Sequence, residues 1–179
     1  MAERTRLSDR PVFAARRISL PSASPIAPVR ETLATLDASY VSQQITRMEV
    51  AIEHDPALAI GTAKELVETC CKTILQERGE CVPSNVDVPQ LVKLTMKQLK
   101  LTPEDIPNGD RGSDSVRRIL GSLSTITQGV AEIRNLFGTG HGRIAGSEGL
   151  TSIHAKLVVG AASSVAVFLL ETHRNGTRR

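Results

Sequence analysis

Apolar residues recur along this chain at helical spacing. Val41, Ile45, Met48 and Ile52 are separated by four, three and four positions, which lays one apolar stripe on a helix over Tyr40 to Glu53 that stops at His54. Asp55-Pro56 then predicts a new start: the carboxylate caps free backbone N–H groups, and proline at the first helical position forfeits no hydrogen bond. Leu58, Thr62, Leu66, Cys70 and Ile74, flanked by Ala59, Ala63, Val67 and Leu75, carry that helix to Arg78, with Gly79 as its stop. Asp87-Val88-Pro89 repeats the capped start, and Leu91, Leu94 and Leu99 continue to Lys100 before a loop rich in Pro, Gly and Asp that runs through Gly112.

From Ser113 or Asp114 the positions Val116, Ile119, Leu123, Ile126, Val130 and Ile133 step by threes and fours, with Leu120 beside Ile119, predicting a long helix with Arg134 at its C-terminal end. Gly138, Gly140 and Gly142 break helical order, and Thr151 caps a last helix whose expected inward face is Ile153, Leu157, Ala161, Val165 and Phe168. No strand pattern or internal repeat interrupts this series. The expectation is an all-α fold, an antiparallel bundle of four to six helices.

Residues 1–28 carry Pro11, Pro21, Pro25 and Pro28 among Ser and Arg without any sustained period, and read as a flexible basic arm before a domain over 29–173 and a basic tail over 174–179. The arginines Arg4, Arg6, Arg10, Arg16 and Arg17 have the flavour of an organellar transit peptide, but Glu3 and Asp9 lie among them and no long apolar run follows. The C-terminal apolar run is interrupted by Lys156, Ser163 and Ser164, so no membrane span is expected and a cytoplasmic protein is.

Charge is unevenly placed. Residues 1–30 hold six Arg against two acids and residues 174–179 hold three Arg, so the net +3 of the whole leaves 31–173 at −4. A polyanion would have to be met by a local cluster or by the arms. With no Trp, one Tyr and three Phe there is no aromatic platform for stacking bases. Cys70, Cys71 and Cys81 are odd in number and lack metal-site spacing, so they read as reduced thiols, with Cys70 packed in the core. His54, His154 and His173 have no carboxylates at ligand spacing and read as surface or capping residues, and no metal or cofactor is implied.

One segment carries chemistry. In Ile133-Arg134-Asn135-Leu136-Phe137-Gly138-Thr139-Gly140-His141-Gly142-Arg143, Arg134 offers a permanently charged planar fork for phosphate oxygens and His141 gives or takes a proton near neutral pH. Gly138, Gly140 and Gly142 let backbone approach a ligand and expose N–H donors, Arg143 adds charge, and Asn135 can orient either main group. The same residues also suit a helix C-cap beside a solvated surface, so chemistry alone leaves two readings open. The glycines do not form a nucleotide-binding loop, because a helix precedes them and no Gly-Lys-Ser/Thr follows.

Two stretches carry a resemblance. Leu66-Val67-Glu68-Thr69-Cys70-Cys71-Lys72-Thr73-Ile74-Leu75 resembles the Leu-x-Glu-x-x-Cys-Lys-x-Ile-Leu helix of the abortive-infection C-terminal domain family, part of the HEPN superfamily. Arg134, followed by Asn135 and separated from His141 by six residues, fits that superfamily's Arg, four to six residues, His signature. The likeness extends over about residues 40–172. It implies a metal-independent endoribonuclease of antiphage defence or a toxin of a toxin–antitoxin pair, dimeric, with RNA and possible antitoxin or regulatory partners. On that likeness Arg134 is the phosphate anchor, His141 the general acid/base and Asn135 the positioning group. Glu68 and Lys72 would support the site, with Glu68 reaching Arg134, although their spacing is also that of an ordinary helix-stabilising pair. The alternative function is a non-catalytic helical module that holds nucleic acid or a partner protein on the same surface.

Overall fold

A computed structural model describes residues 38–82, 84–107, 109, 111–137 and 149–177. Those residues form five α-helices: α1 (Ala38–His54), α2 (Pro56–Glu77), α3 (Val88–Gln98), α4 (Ser113–Phe137) and α5 (Ser152–Thr177), with a 3-10 turn at Pro103–Asp105. No strand occurs among them.

The helix starts follow the capping chemistry of the sequence. Asp55 Oδ1 accepts from the Leu58 N–H at 3.0 Å and Asp87 Oδ1 from the Gln90 N–H at 2.8 Å, each with proline in the first turn. Both α2 and α3 end in Schellman motifs. The Glu80 N–H reaches Leu75 O at 2.9 Å and the Gly79 N–H reaches Gln76 O at 3.0 Å, with Gly79 at φ +77°. At the end of α3 the same two bonds join Leu101 to Met96 and Lys100 to Lys97, and a lysine, Lys100, sits at φ 56° where glycine is the easy choice.

Helix α2 is the centre of the bundle and packs against each of the other four helices. Its buried positions, among them Ala59, Ala63, Leu66, Val67, Cys70, Cys71, Ile74 and Leu75, run around most of its circumference for that reason. Ile45 and Met48 of α1, Leu91 and Val92 of α3, Leu120 and Val130 of α4, and Val159, Ala166 and Leu169 of α5 complete the core. Each large aliphatic side chain buried in this way contributes roughly 1.5–3 kcal/mol.

The single residue Asp55 between α1 and α2 forces those two helices antiparallel. Helices α2 and α5 run in the same direction instead. Lys156 near the start of α5 pairs with Glu53 beside the start of α2 at 2.5 Å, and His173 near the end of α5 meets Glu77 at the end of α2 at 2.7 Å. The loop between α3 and α4 is held by Arg117, which donates to Pro103 O, Ile106 O and Pro107 O and pairs with Asp114 at 2.8 Å.

Four expectations are corrected by these placements. The inward face of α5 is Ala155, Val158, Val159, Ala162, Val165, Ala166, Leu169 and Leu170, whereas Ile153 and Leu157 are exposed and Ala161 and Phe168 are half-buried. The helix is apolar almost all round, so periodicity does not select a face; an 18-residue window within it has mean hydropathy 1.9, long and apolar enough for a span, with half of it buried in the bundle. Leu94 of α3 is exposed because Val92, Thr95 and Met96 take the inner positions. His173 is buried and paired, not a surface residue. Arg174 lies within α5, which continues to Thr177.

Candidate functional site

The apolar stripe of α4 does its first task at Leu120, Thr127 and Val130, which are buried against the bundle and fix the helix's rotation. That rotation leaves Arg134, in the last turn, half-buried and Asn135 beside it exposed. Positive charge there also suits the negative end of the helix dipole. Arg134 Nη1 donates to Asn135 Oδ1 across 3.4 Å, a long bond that turns the amide oxygen towards the guanidinium.

The connection after α4 begins and ends at one place. A methyl group added at Gly149 would lie 3.4 Å from Cε1 of Phe137, so the chain re-enters against the ring that closes α4, one turn beyond Arg134. Gly138, Gly140, His141, Gly142 and Arg143 lie outside the described residues.

The end of the bundle that holds Phe137 and Gly149 also holds the start of α5. There Thr151 caps that helix, and its N–H donates to His154 Nδ1 at 3.2 Å with its hydroxyl 3.0 Å from the same nitrogen. His154 is therefore a capping residue with its ring exposed.

Glu68, expected near Arg134, is engaged on its own helix. It pairs with Lys64 and with Lys72, the latter at 2.7 Å, and among the described residues no ion pair joins it to Arg134. Burial raises its carboxyl pKa, but the hydrogen bonds from Lys64 and Lys72 outweigh that and hold it below its ordinary value. Glu65, exposed on the same face, balances the second lysine, so this face of α2 is mixed in charge.

The neighbouring thiols are inert. Cys70 and Cys71 are buried, and burial pushes the Cys71 thiol up to about 11 and that of Cys70 up as well. Among the described residues no group of His, Cys, Asp and Glu is placed to hold a metal ion.

A second polar cluster escaped the sequence reading. His173 Nε2 lies 2.7 Å from Glu77 Oε2, while Arg78 Nε donates to His173 Nδ1 at 3.2 Å and Arg78 Nη1 to Gln98 O at 2.8 Å. Its signal was present: His173 falls three and four positions after Leu170 and Leu169, on the buried face of α5. It cannot share a site with Arg134, because from Ser152 to His173 the helix rises roughly 30 Å. The cluster ties the far ends of α2, α3 and α5 together.

Comparison with known families assigns the fold. The Abi_C family model, described as a HEPN-like domain, matches residues 39–173. No curated protein and no solved structure matches the chain. The match reaches into all five helices, from the second residue of α1 to His173 in α5, and includes Arg134 and Asn135, and so the chain belongs to the Abi_C family of HEPN-like domains.

Proposed function

We propose that this protein is a metal-independent endoribonuclease of antiphage defence or of a toxin–antitoxin pair, with Arg134 and His141 as its catalytic residues. The observation that carries the reading is Arg134 with Asn135 at the exposed end of α4, in a chain of the HEPN-like family. Arg134 binds the non-bridging phosphate oxygens and stabilises the charge that builds on them in the transition state. His141 acts as general acid/base, and Asn135 orients the attacking group.

The reaction is an internal transfer. The 2′-oxygen forms a bond to phosphorus as its proton passes to a base, and the bond from phosphorus to the 5′-oxygen breaks as that oxygen takes a proton. The products are a 2′,3′-cyclic phosphate and a free 5′-hydroxyl. Gly138, Gly140, Gly142 and Arg143 supply further contacts to the RNA backbone. The active species is a cytoplasmic homodimer in which two copies of the motif share one cleft, controlled by an antitoxin or another regulatory partner.

The test is incubation of the purified protein with cellular RNA in EDTA. Cleavage is expected in the wild type and a loss of about 100-fold or more in Arg134→Ala and His141→Ala, with unchanged helical content. A wild type and His141→Ala variant that both protect cells from phage without cutting RNA would establish the non-catalytic binding module instead.

A further inference from the structure

Helix α5 begins with a capping arrangement that leaves one of its polar groups over. Thr151 stands at the N-cap and His154 at the third helical position, the place from which a Glu or Gln side chain commonly reaches back to the cap's N–H. Here an imidazole fills that role: the Thr151 N–H donates to Nδ1 at 3.2 Å, and the Thr151 hydroxyl lies 3.0 Å from the same nitrogen. With Nδ1 accepting, the hydrogen of the neutral ring is on Nε2, on a side chain that is exposed. A glutamate would close the cap as well, but with a negative charge. The histidine closes it and keeps an N–H donor on the far side of its ring.

His154 is level with Arg134. Arg134 comes three residues before the last residue of α4, Phe137, and His154 two residues after the first of α5, Ser152, so each lies roughly 3–5 Å in from the end at which Phe137 and Gly149 meet. The two helices pack on each other, and packed helix axes are about 8–10 Å apart. Leu120, Thr127, Val130 and Arg134 follow one another at helical spacing as a single stripe, so Arg134 stays on the inner side of α4 and is half-buried.

The rotation of α5 agrees. Ala155 is fully buried in the bundle, and Lys156 on one flank reaches Glu53 of α1. His154 is two positions from Lys156, about 200° round the helix, which puts it on the opposite flank, the one left for α4.

We propose that His154 is a phosphate-binding residue of the Arg134 site: its Nε2–H donates to a non-bridging oxygen of the RNA phosphate that the guanidinium holds. The proposal deepens the ribonuclease reading and rests on it for the substrate. Arg134 neutralises the phosphate, and His154 fixes its orientation from a second helix, so that the phosphorus is held in line for the 2′-oxygen. A donor whose ring is already fixed by Thr151 needs no reorganisation as charge builds on that oxygen. The proton transfers of the reaction stay with His141.

Two substitutions separate this role from the cap. In His154→Asn the amide oxygen stands near the place of Nδ1 and keeps the Thr151 bond, with nothing at Nε2. In His154→Gln the amide extends to the place of Nε2 and brings back an N–H donor that cannot transfer a proton. In EDTA, His154→Asn should cut RNA about 10-fold or more slowly than the wild type and bind a fluorescein-labelled 2′-deoxy oligonucleotide about 10-fold or more weakly, and His154→Gln should recover most of both. Urea unfolding of His154→Asn should match the wild type. In the wild type, nitrogen NMR should show the Nε2 resonance of His154 shifting as the 2′-deoxy oligonucleotide is added, a readout that needs no variant. Cutting and binding unchanged in His154→Asn, or an unmoved Nε2, overturn the proposal and leave the nuclease reading standing. Normal binding with cutting lost in both variants overturns it too, because the ring would then move a proton and not hold a phosphate. Binding weakened in His154→Asn as in Arg134→Ala, in a protein whose wild type cuts no RNA, keeps the phosphate contact and sinks the nuclease reading instead.

Discussion

His173 near the end of α5 and Glu77 at the end of α2 lie ninety-six residues apart in sequence and 2.7 Å apart in space. Arg78 donates to the other ring nitrogen, which makes that nitrogen the acceptor and leaves Nε2 to donate to Glu77. His173→Ala removes both bonds and leaves a buried cavity. It should cost about 2 kcal/mol in urea unfolding. Any ribonuclease activity should survive at temperatures where the variant stays folded, because Arg134 lies at the other end of the bundle.

Lys100 pays a conformational cost at φ 56° that glycine would not. Its side chain is exposed and no described hydrogen bond depends on it, so Lys100→Gly should raise stability by about 1 kcal/mol. Gly79→Ala, at φ +77° in the matching motif after α2, should lower it by a similar ~1 kcal/mol. Opposite shifts in the midpoint of thermal unfolding are the measurement.

Glu68 gives the acid limb of the stability curve a recognisable part. Its pKa is lowered in the folded chain from an ordinary value of 4.5, so its contribution is present above that pH and fades as pH falls through the folded value. The group is partly exposed and its partners are one turn away, so the contribution is about 0.5 kcal/mol. Urea unfolding of Glu68→Gln should lie below the wild type at pH 6 and converge with it in acid.

Thiol accessibility checks the core directly. Cys81 is exposed while Cys70 and Cys71 are buried with raised pKa values, so a disulfide-exchange reagent at pH 8 should titrate one thiol per native chain and three after denaturation.

The sequence makes the starts and stops of these helices plain, since Asp55, Asp87 and Gly79 act through local geometry that neighbouring residues alone determine. It says less about rotation. On α4 the apolar stripe is wider than the core it meets, so Ile119 and Ile126 stay outside while Leu120 goes in. On α5 apolar residues surround the axis, and whether Ile153 or Val158 faces inward is decided by packing against α2. His173 was hidden for the complementary reason, as its partner sits on another helix. Of the candidate site, the place of Arg134 at the end of α4 was legible from the stepwise pattern that leads to it. The engagement of Glu68 by Lys64 as well as Lys72 was not, although all three lie at helical spacing, because family likeness pointed the carboxylate elsewhere.

The central claim is that Arg134 and His141 direct an RNA's own 2′-oxygen onto its phosphate. Once a cut position is mapped in a synthetic RNA, a matching RNA with one 2′-O-methyl group at that nucleotide isolates the step. Cleavage at that position in EDTA should vanish with the methyl group and persist at unmodified positions. Equal cleavage of the two RNAs would contradict the account.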